Sequence, residues 1–405
     1  MTTTTHTIKT PVFSQTRIRL IIIAILALYP LIGMGIDLIA PSLPAIGEDL
    51  HTSTIFSKNM ITLYLLGVMS GTVLMGFISD AIGRRNLILY GLCIFIIGSI
   101  LPPLLNIPFI LLICRFIQGF GIAMFAVISR ATLSDILSTE KLMHTATFMA
   151  TMWGIGPIIG PLIGGYLQVY FNWQACFYFY TAMGIAGLLA AVLIIPETHF
   201  HRQPLHYPQL KINFISMLTH RSFIGCAIMM GISYSLIIVF NTLGPFIYQN
   251  ILNYSASGFG KIAFYMGITF LIGTFPCRKL LKIMTPDKLI FYALILFTFT
   301  ATISLIFALI ETDHTQNIFI SSLLMFFCCA ILYPTAMAKG LSLSRHLAGT
   351  GAAILTLFNM SLTSLCAFLM SMINANISTI IFIYFGLMII ASGVYYFMLR
   401  GDEKI

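Results

Sequence analysis

From Leu20 to Leu399 the chain is a succession of apolar runs, most about twenty residues long, separated by short polar joints. A helix rises about 1.5 Å per residue, so such a run crosses the roughly 30 Å hydrocarbon core of a bilayer. In hydrocarbon every backbone N–H and C=O needs an internal partner, and runs of this length find it as helices. The runs fall near 20–40, 59–79, 86–105, 107–129, 145–170, 174–195, 222–244, 259–281, 288–310, 317–338, 349–373 and 378–399. They predict an all-α polytopic membrane protein with twelve transmembrane helices, six on either side of a polar stretch from His199 to His220. Hydrophobic residues make up 59% of the chain and charged ones 8%, where ordinary globular domains carry about 25% charge. A soluble fold could not cover that much apolar surface. The first run is too long for a cleaved signal peptide, and no small-residue cleavage site follows it.

The formal charge of +9 raises the question of nucleic acid, and its distribution answers it. With the N-terminus placed in the cytoplasm, 18 of the 21 basic residues fall on the inner side. Lys58 and Lys261 fall outside, Arg115 lies within a helix, and the outer loops carry Glu48, Asp49, Glu311 and Asp313. Positive charge on the cytoplasmic loops is a topology signal. It predicts both termini inside, contact with the lipid bilayer and no nucleic-acid partner. The predicted parts are a polar tail (1–16), a six-helix bundle (17–198), a cytoplasmic linker (199–220), a second six-helix bundle (221–400) and a short tail (401–405). Within the linker, Leu210 to Leu218 reads as a short amphipathic helix on the inner leaflet. Its four histidines, His199, His201, His206 and His220, lack the spacing of a metal motif. The eight cysteines sit inside apolar runs and read as small hydrophobes. With no metal site, cofactor motif or intramembrane nucleophile in view, an enzyme is disfavoured.

The two predicted halves echo one another. At an offset of 202 residues, Gly71–Leu92 aligns with Gly273–Leu294, with six of 22 positions identical. An offset of half the chain length is the mark of a duplicated transporter. The first copy, GTVLMGFISDAIGRRNLILYGL, is two apolar helix ends joined by a charged knuckle. It resembles the signature loop of the major facilitator superfamily, G-x-x-x-D-R-x-G-R-R/K, at Gly76, Asp80, Gly83, Arg84 and Arg85, with Ala81 where that family most often has Arg. The resemblance implies a gating cluster in which Asp80 meets the helix start near Gly349 and Arg84 pairs with Asp135.

Two charged residues are predicted at membrane depth, Asp37 in the first helix and Arg115 in the fourth. Ionisable groups there face a cavity or a partner and mark function. Tyr29, Gly33 and Asp37 share one helical face at i, i+4, i+8, which reads as a cavity wall; Met34 lies beside it. RFIQGFGIA (Arg115, Gln118) resembles the family's R-x-x-Q-G-x-G motif, and Asp37 in DLIAPSLP resembles the acidic first helix of the Bcr/CflA drug:proton antiporters. GPIIGPLIGG, with Gly156, Pro157, Gly160, Pro161, Gly164 and Gly165, is similar to the motif associated with exporters. IPETH, ending at His199, resembles the usual end of helix 6 in twelve-helix drug exporters. In the second half Tyr234, Asn241, Tyr333 and Asn359 are candidate cavity residues.

The resemblance implies a proton-coupled secondary transporter of the bacterial inner membrane. It would export small hydrophobic or cationic compounds by alternating access, as a monomer, with the proton as coupling ion. Asp37 is expected to bind the proton, with Arg115 as its electrostatic partner. An uptake transporter of the same fold, for a metabolite or a siderophore, is the alternative.

Overall fold

The computed structural model describes residues 13–199, 215–310, 315–344 and 348–400, and only the backbone at 77, 79–81, 139, 143 and 348–350. The first half comprises α1 (Gln15–Asp37), the short α2 (Leu43–Asp49), α3 (Thr54–Ile82), α4 (Arg84–Leu105), α5 (Pro108–Ile136), α6 (Thr139–Tyr170) and α7 (Trp173–Ile194). The second comprises α8 (Arg221–Phe246), α9 (Ala256–Leu280), α10 (Pro286–Ile310), α11 (Thr315–Leu343), α12 (Ala348–Met372) and α13 (Ile377–Val394). Single π turns extend α8 and α13, and α1 and α2 together make one span around a 3-10 turn at Ala40–Ser42. Twelve helical spans among the described residues are long and apolar enough to cross a membrane. The chain is a multi-pass membrane protein, and no strand occurs among the described residues. Most of the linker lies outside the described residues, as do His201, His206, residues 1–12 and residues 401–405; Ile215–Leu218 is helical.

The break after Asp37 has a local cause. Pro41 and Pro44 stand at the first turns of the 3-10 and α2 segments, where a residue without an N–H fits best. The last carbonyls of α1 are thereby left to side chains from elsewhere.

Helices in lipid gain little from apolar burial against each other, so close approach through small residues carries the packing. The string of small residues in α6 shows the consequence. A Cβ on Gly156 would lie 2.5 Å from the Pro30 carbonyl oxygen, and one on Gly164 would overlap the Leu38 carbonyl. One on Gly160 would lie 3.3 Å from the Asp37 Cβ. These glycines seat α6 along α1. Gly165, one residue round the helix, instead meets α9, 2.6 Å from the Ala256 carbonyl oxygen, while the carbonyl of Pro161 faces Gly260. The motif therefore bonds two neighbours, one of them in the other half.

The halves meet where α6 packs on α9 and α3 on α12. At the end remote from the 82–86 hairpin the seam is polar and closed. Lys58 Nζ donates to the Ile373 carbonyl at 2.7 Å and lies 5.2 Å from the Phe246 ring centroid. Gln249 Nε2 donates to the Pro41 carbonyl at 2.9 Å. Lys58 is thus not a loop residue on the outer surface, as its position in the sequence predicts; it is 1% exposed and joins the halves.

At the hairpin end, Gly83 has φ +106° and no side chain of its own cap for α4. Glu197 supplies the cap from the far end of α7: its carboxylate accepts from the backbone N–H groups of Arg84 (2.9 Å) and Arg85 (3.2 Å). A Cβ on Gly83 would lie 2.8 Å from that carboxylate, so both the dihedral and the space require glycine. Arg84 Nε donates to Asp135 Oδ2 at 3.1 Å, and Thr198 Oγ1 donates to the same oxygen at 3.0 Å. The Asp80 side chain and its expected meeting with Gly349 lie outside the described residues. The second half carries a charge-inverted counterpart, the ion pair between Lys339 of α11 and Asp287 in the first turn of α10.

Candidate functional site

Asp37, the last residue of α1, is 3% exposed and is the only acidic residue buried among the described residues. Its Oδ1 accepts from Asn241 Nδ2 of α8 at 2.6 Å. The partner comes from the opposite half, 204 positions along the chain. A hydrogen bond to an ionised acceptor is roughly twice as strong as a neutral one, so this contact ties the charge on Asp37 to the closure between the halves.

Arg115 does not occupy the role that its proximity in depth predicts. No ion pair joins it to Asp37 among the described residues. Its Nη2 donates to the Gly35 carbonyl at 2.7 Å, Nε to the Met60 carbonyl at 3.3 Å and Nη1 to Gln118 Oε1 at 2.5 Å. The guanidinium also lies over the Tyr64 ring, 4.4 Å from its centroid. Gly35 contributes one of the carbonyls that α1 cannot satisfy internally, and a cation at a helix C-terminus is favoured by the macrodipole. Tyr180 Oη reaches the same turn, 2.9 Å from the Met34 carbonyl. Arg115 caps the end of the helix that bears Asp37, and it finds full partnership without a carboxylate.

The other expected cavity residues separate into two groups. Gly33 faces α6, where a Cβ would lie 2.7 Å from Pro157 Cδ, so it serves helix contact rather than a cavity wall. Gln118 is fully buried between Arg115 and Ser99, to whose Oγ it donates at 2.8 Å. Met34 is buried as well. Tyr234 and Asn241 meet the opposite half, Tyr333 and Asn359 adjoin Tyr234, and Tyr29 bonds Arg130 and the Ala126 carbonyl within its own half. The Trp153 ring of α6 lies tilted, 5.9 Å from Tyr234, and Tyr234 lies 6.0 Å from Tyr333, a ladder that crosses from one half to the other. Asn359 Nδ2 donates to Tyr333 Oη at 3.3 Å.

Sequence reasoning passed over Arg130, assigning it to the inner loops because the apolar run before it ends near residue 129; in the structure α5 continues to Ile136. Its Nε donates to Tyr29 Oη at 3.1 Å. Tyr29 stands 14 residues into α1, about 21 Å along the axis, and Arg130 reaches it from six residues before the end of α5. Tyr29 is buried while Arg130 is exposed. The exposed Arg130 beside the buried Tyr29 marks a crevice on the hairpin side of the Lys58 closure. Trp153 escaped notice for a different reason: a lone aromatic beside glycine looks like packing until its partner helix is known.

The fold and site define a twelve-span transporter with two halves around a central seam. The chain belongs to the Major Facilitator Superfamily, whose family model matches residues 25–367. It is a membrane transporter and not an enzyme. It is 29% identical to a bicyclomycin resistance protein homolog of Haemophilus influenzae over 266 residues, 64% of this chain and 66% of that protein. It is 27% identical to the multidrug resistance protein MdtL of Escherichia coli over 68% of this chain and 69% of that one. An uncharacterized transporter of Rickettsia bellii is 25% identical over 94% of this chain and 96% of its own. Among solved structures, a D-xylose–proton symporter superposes with a TM-score of 0.75 at 14% identity, covering 94% of this chain and 98% of that one. The inward-open xylose transporter XylE of E. coli gives 0.73 at 15% identity, covering 95% and 98%.

Proposed function

We propose that this transporter is a proton-driven exporter of small hydrophobic or cationic compounds, residing in the bacterial inner membrane with its hairpin end and both termini in the cytoplasm. The basic residues of the inner loops support the orientation. The drug-resistance names of the bicyclomycin and MdtL relatives support export over uptake.

The observation that carries the coupling is the Asp37–Asn241 contact across the seam. An ionised Asp37 holds Asn241 and with it the closure between α1 and α8. A proton on the accepting oxygen weakens that hold and lets the halves rock about the midplane. Arg115 acts by fixing the end of α1, so that Asp37 keeps its place in both states. Crevice residues Arg130, Tyr29 and the aromatic ladder then receive the substrate from the cytoplasmic side.

The test is transport in proteoliposomes with an imposed pH difference, using bicyclomycin and a panel of hydrophobic compounds. Wild-type protein should concentrate a substrate against its gradient, and Asp37→Asn should only equilibrate it. Accumulation by Asp37→Asn at the wild-type level would remove Asp37 from the coupling role. Uphill movement in the opposite direction would favour uptake.

A further inference from the structure

The crevice beside Arg130 has a chemistry of its own. Arg130 makes one hydrogen bond among the described residues, from Nε to Tyr29 Oη. That bond uses Nε and leaves the two terminal NH2 groups of an exposed side chain without a hydrogen bond among the described residues. Tyr333 of the second half lies within electrostatic reach of the guanidinium. Tyr333 Oη accepts from Asn359, so its own proton is free to point outward. Asn359 Oδ1 is buried and has no partner among the described residues, which leaves an acceptor beside Tyr333. The tilted rings of Trp153, Tyr234 and Tyr333 supply an aromatic wall.

No acid pairs with Arg130 among the described residues. Asp37 is engaged by Asn241, Asp135 by Arg84 and Thr198, and Asp287 by Lys339. Arg115 is already saturated by two carbonyls and Gln118. The remaining donors of Arg130 are therefore the cationic group in the seam that is available to a ligand.

We infer that Arg130, Tyr333 and the Trp153–Tyr234 wall form a subsite for an aromatic compound bearing a carboxylate or similar anionic oxygen. The planar fork of arginine matches a carboxylate in two-point fashion, and the ring of the ligand lies along the ladder. Tyr29 positions the fork. A carboxyl group that arrives protonated finds Asn359 Oδ1 as its acceptor. The inference rests on reading the seam as the transport route and adds a substrate class to it. Cationic compounds would engage Asp37 once Asn241 releases it, at a different level.

The experiment is equilibrium binding to the purified full-length chain, read by tryptophan quenching with nitroaromatic probes. Trp153 is in the wall, and Trp153→Phe identifies its share of the signal against Trp173. The probes are 4-nitrobenzoate, 4-nitrobenzamide and 4-nitrobenzylammonium, which share one ring and differ in charge. Wild type should bind the benzoate about tenfold more tightly than the ammonium compound. Arg130→Gln should erase that preference, and Arg130→Lys should keep part of it, which shows that the substituted protein is folded. Equal affinity for the three probes, or a preference that survives Arg130→Gln, overturns the inference. The measurement needs no gradient and no flux, so it is decided separately from the direction and coupling of transport.

Discussion

Replacing Asn241 by alanine tests whether the contact with Asp37 sets the balance between conformations. The hydrogen bond is 2.6 Å long and both residues are buried. A bond to a charged group contributes about 1.5–3 kcal/mol in such a setting, which corresponds to roughly a 10- to 100-fold change in a two-state ratio. The structure is closed at the end carrying Lys58 and Gln249, and the contact belongs to that closed state. Asn241→Ala should therefore move the population toward the state open at that end by a factor in this range. Spin labels at Thr54 and Asn250, which line one recess across the seam, report the closure as a short interlabel distance. The expected result is growth of a long-distance population in Asn241→Ala and a smaller growth in Asp37→Asn, whose amide oxygen still accepts. A folded Asn241→Ala protein with the wild-type distance distribution would refute the reasoning, because the contact would then contribute equally to both states.

Two more predictions concern the framework. Glu197→Ala removes the cap of α4, and caps of this kind are worth about 0.5–2 kcal/mol, so the variant should melt earlier in detergent. Burial raises the Glu197 pKa, but the N–H groups of Arg84, His199, Arg85 and Thr198 outweigh it and hold it below the ordinary 4.5. A depressed carboxyl contributes stability above its unfolded pKa and loses it as pH falls through the folded value. The difference between wild type and Glu197→Ala should accordingly shrink below about pH 4.5; a gap that widens in acid would contradict the cap. Gly164→Val sets a side chain against the Leu38 carbonyl, a backbone atom that cannot turn aside. Overpacking of this kind costs about 1–3 kcal/mol or more, so its monodisperse yield should fall. Gly154→Ala, which meets open space on the same helix, should leave yield and melting unchanged. Equal behaviour of the two variants would count against the α1–α6 seam.

The sequence by itself determined the twelve spans, the duplicated halves and the positions where backbone must approach backbone. Each follows from a local property: run length against bilayer thickness, the offset of one segment from another, and a glycine period of four on a helix. The Arg84–Asp135 pair was also legible, because the family resemblance implies it. What only the tertiary structure decided is which polar group meets which. Depth alone pairs Asp37 with Arg115, since both are charged and near the midplane. The fold instead gives Asp37 an amide from the other half and gives Arg115 the orphan carbonyl of a broken helix. Lys58, Arg130 and Glu197 show the same gap, with partners 315, 101 and 113 residues away. Helical periodicity assigns a side chain to a face of its own helix. The partner depends on how neighbouring helices are rotated and broken, and in a low-dielectric interior a hydrogen bond to a nearby amide or backbone carbonyl is strong enough to hold a charged group.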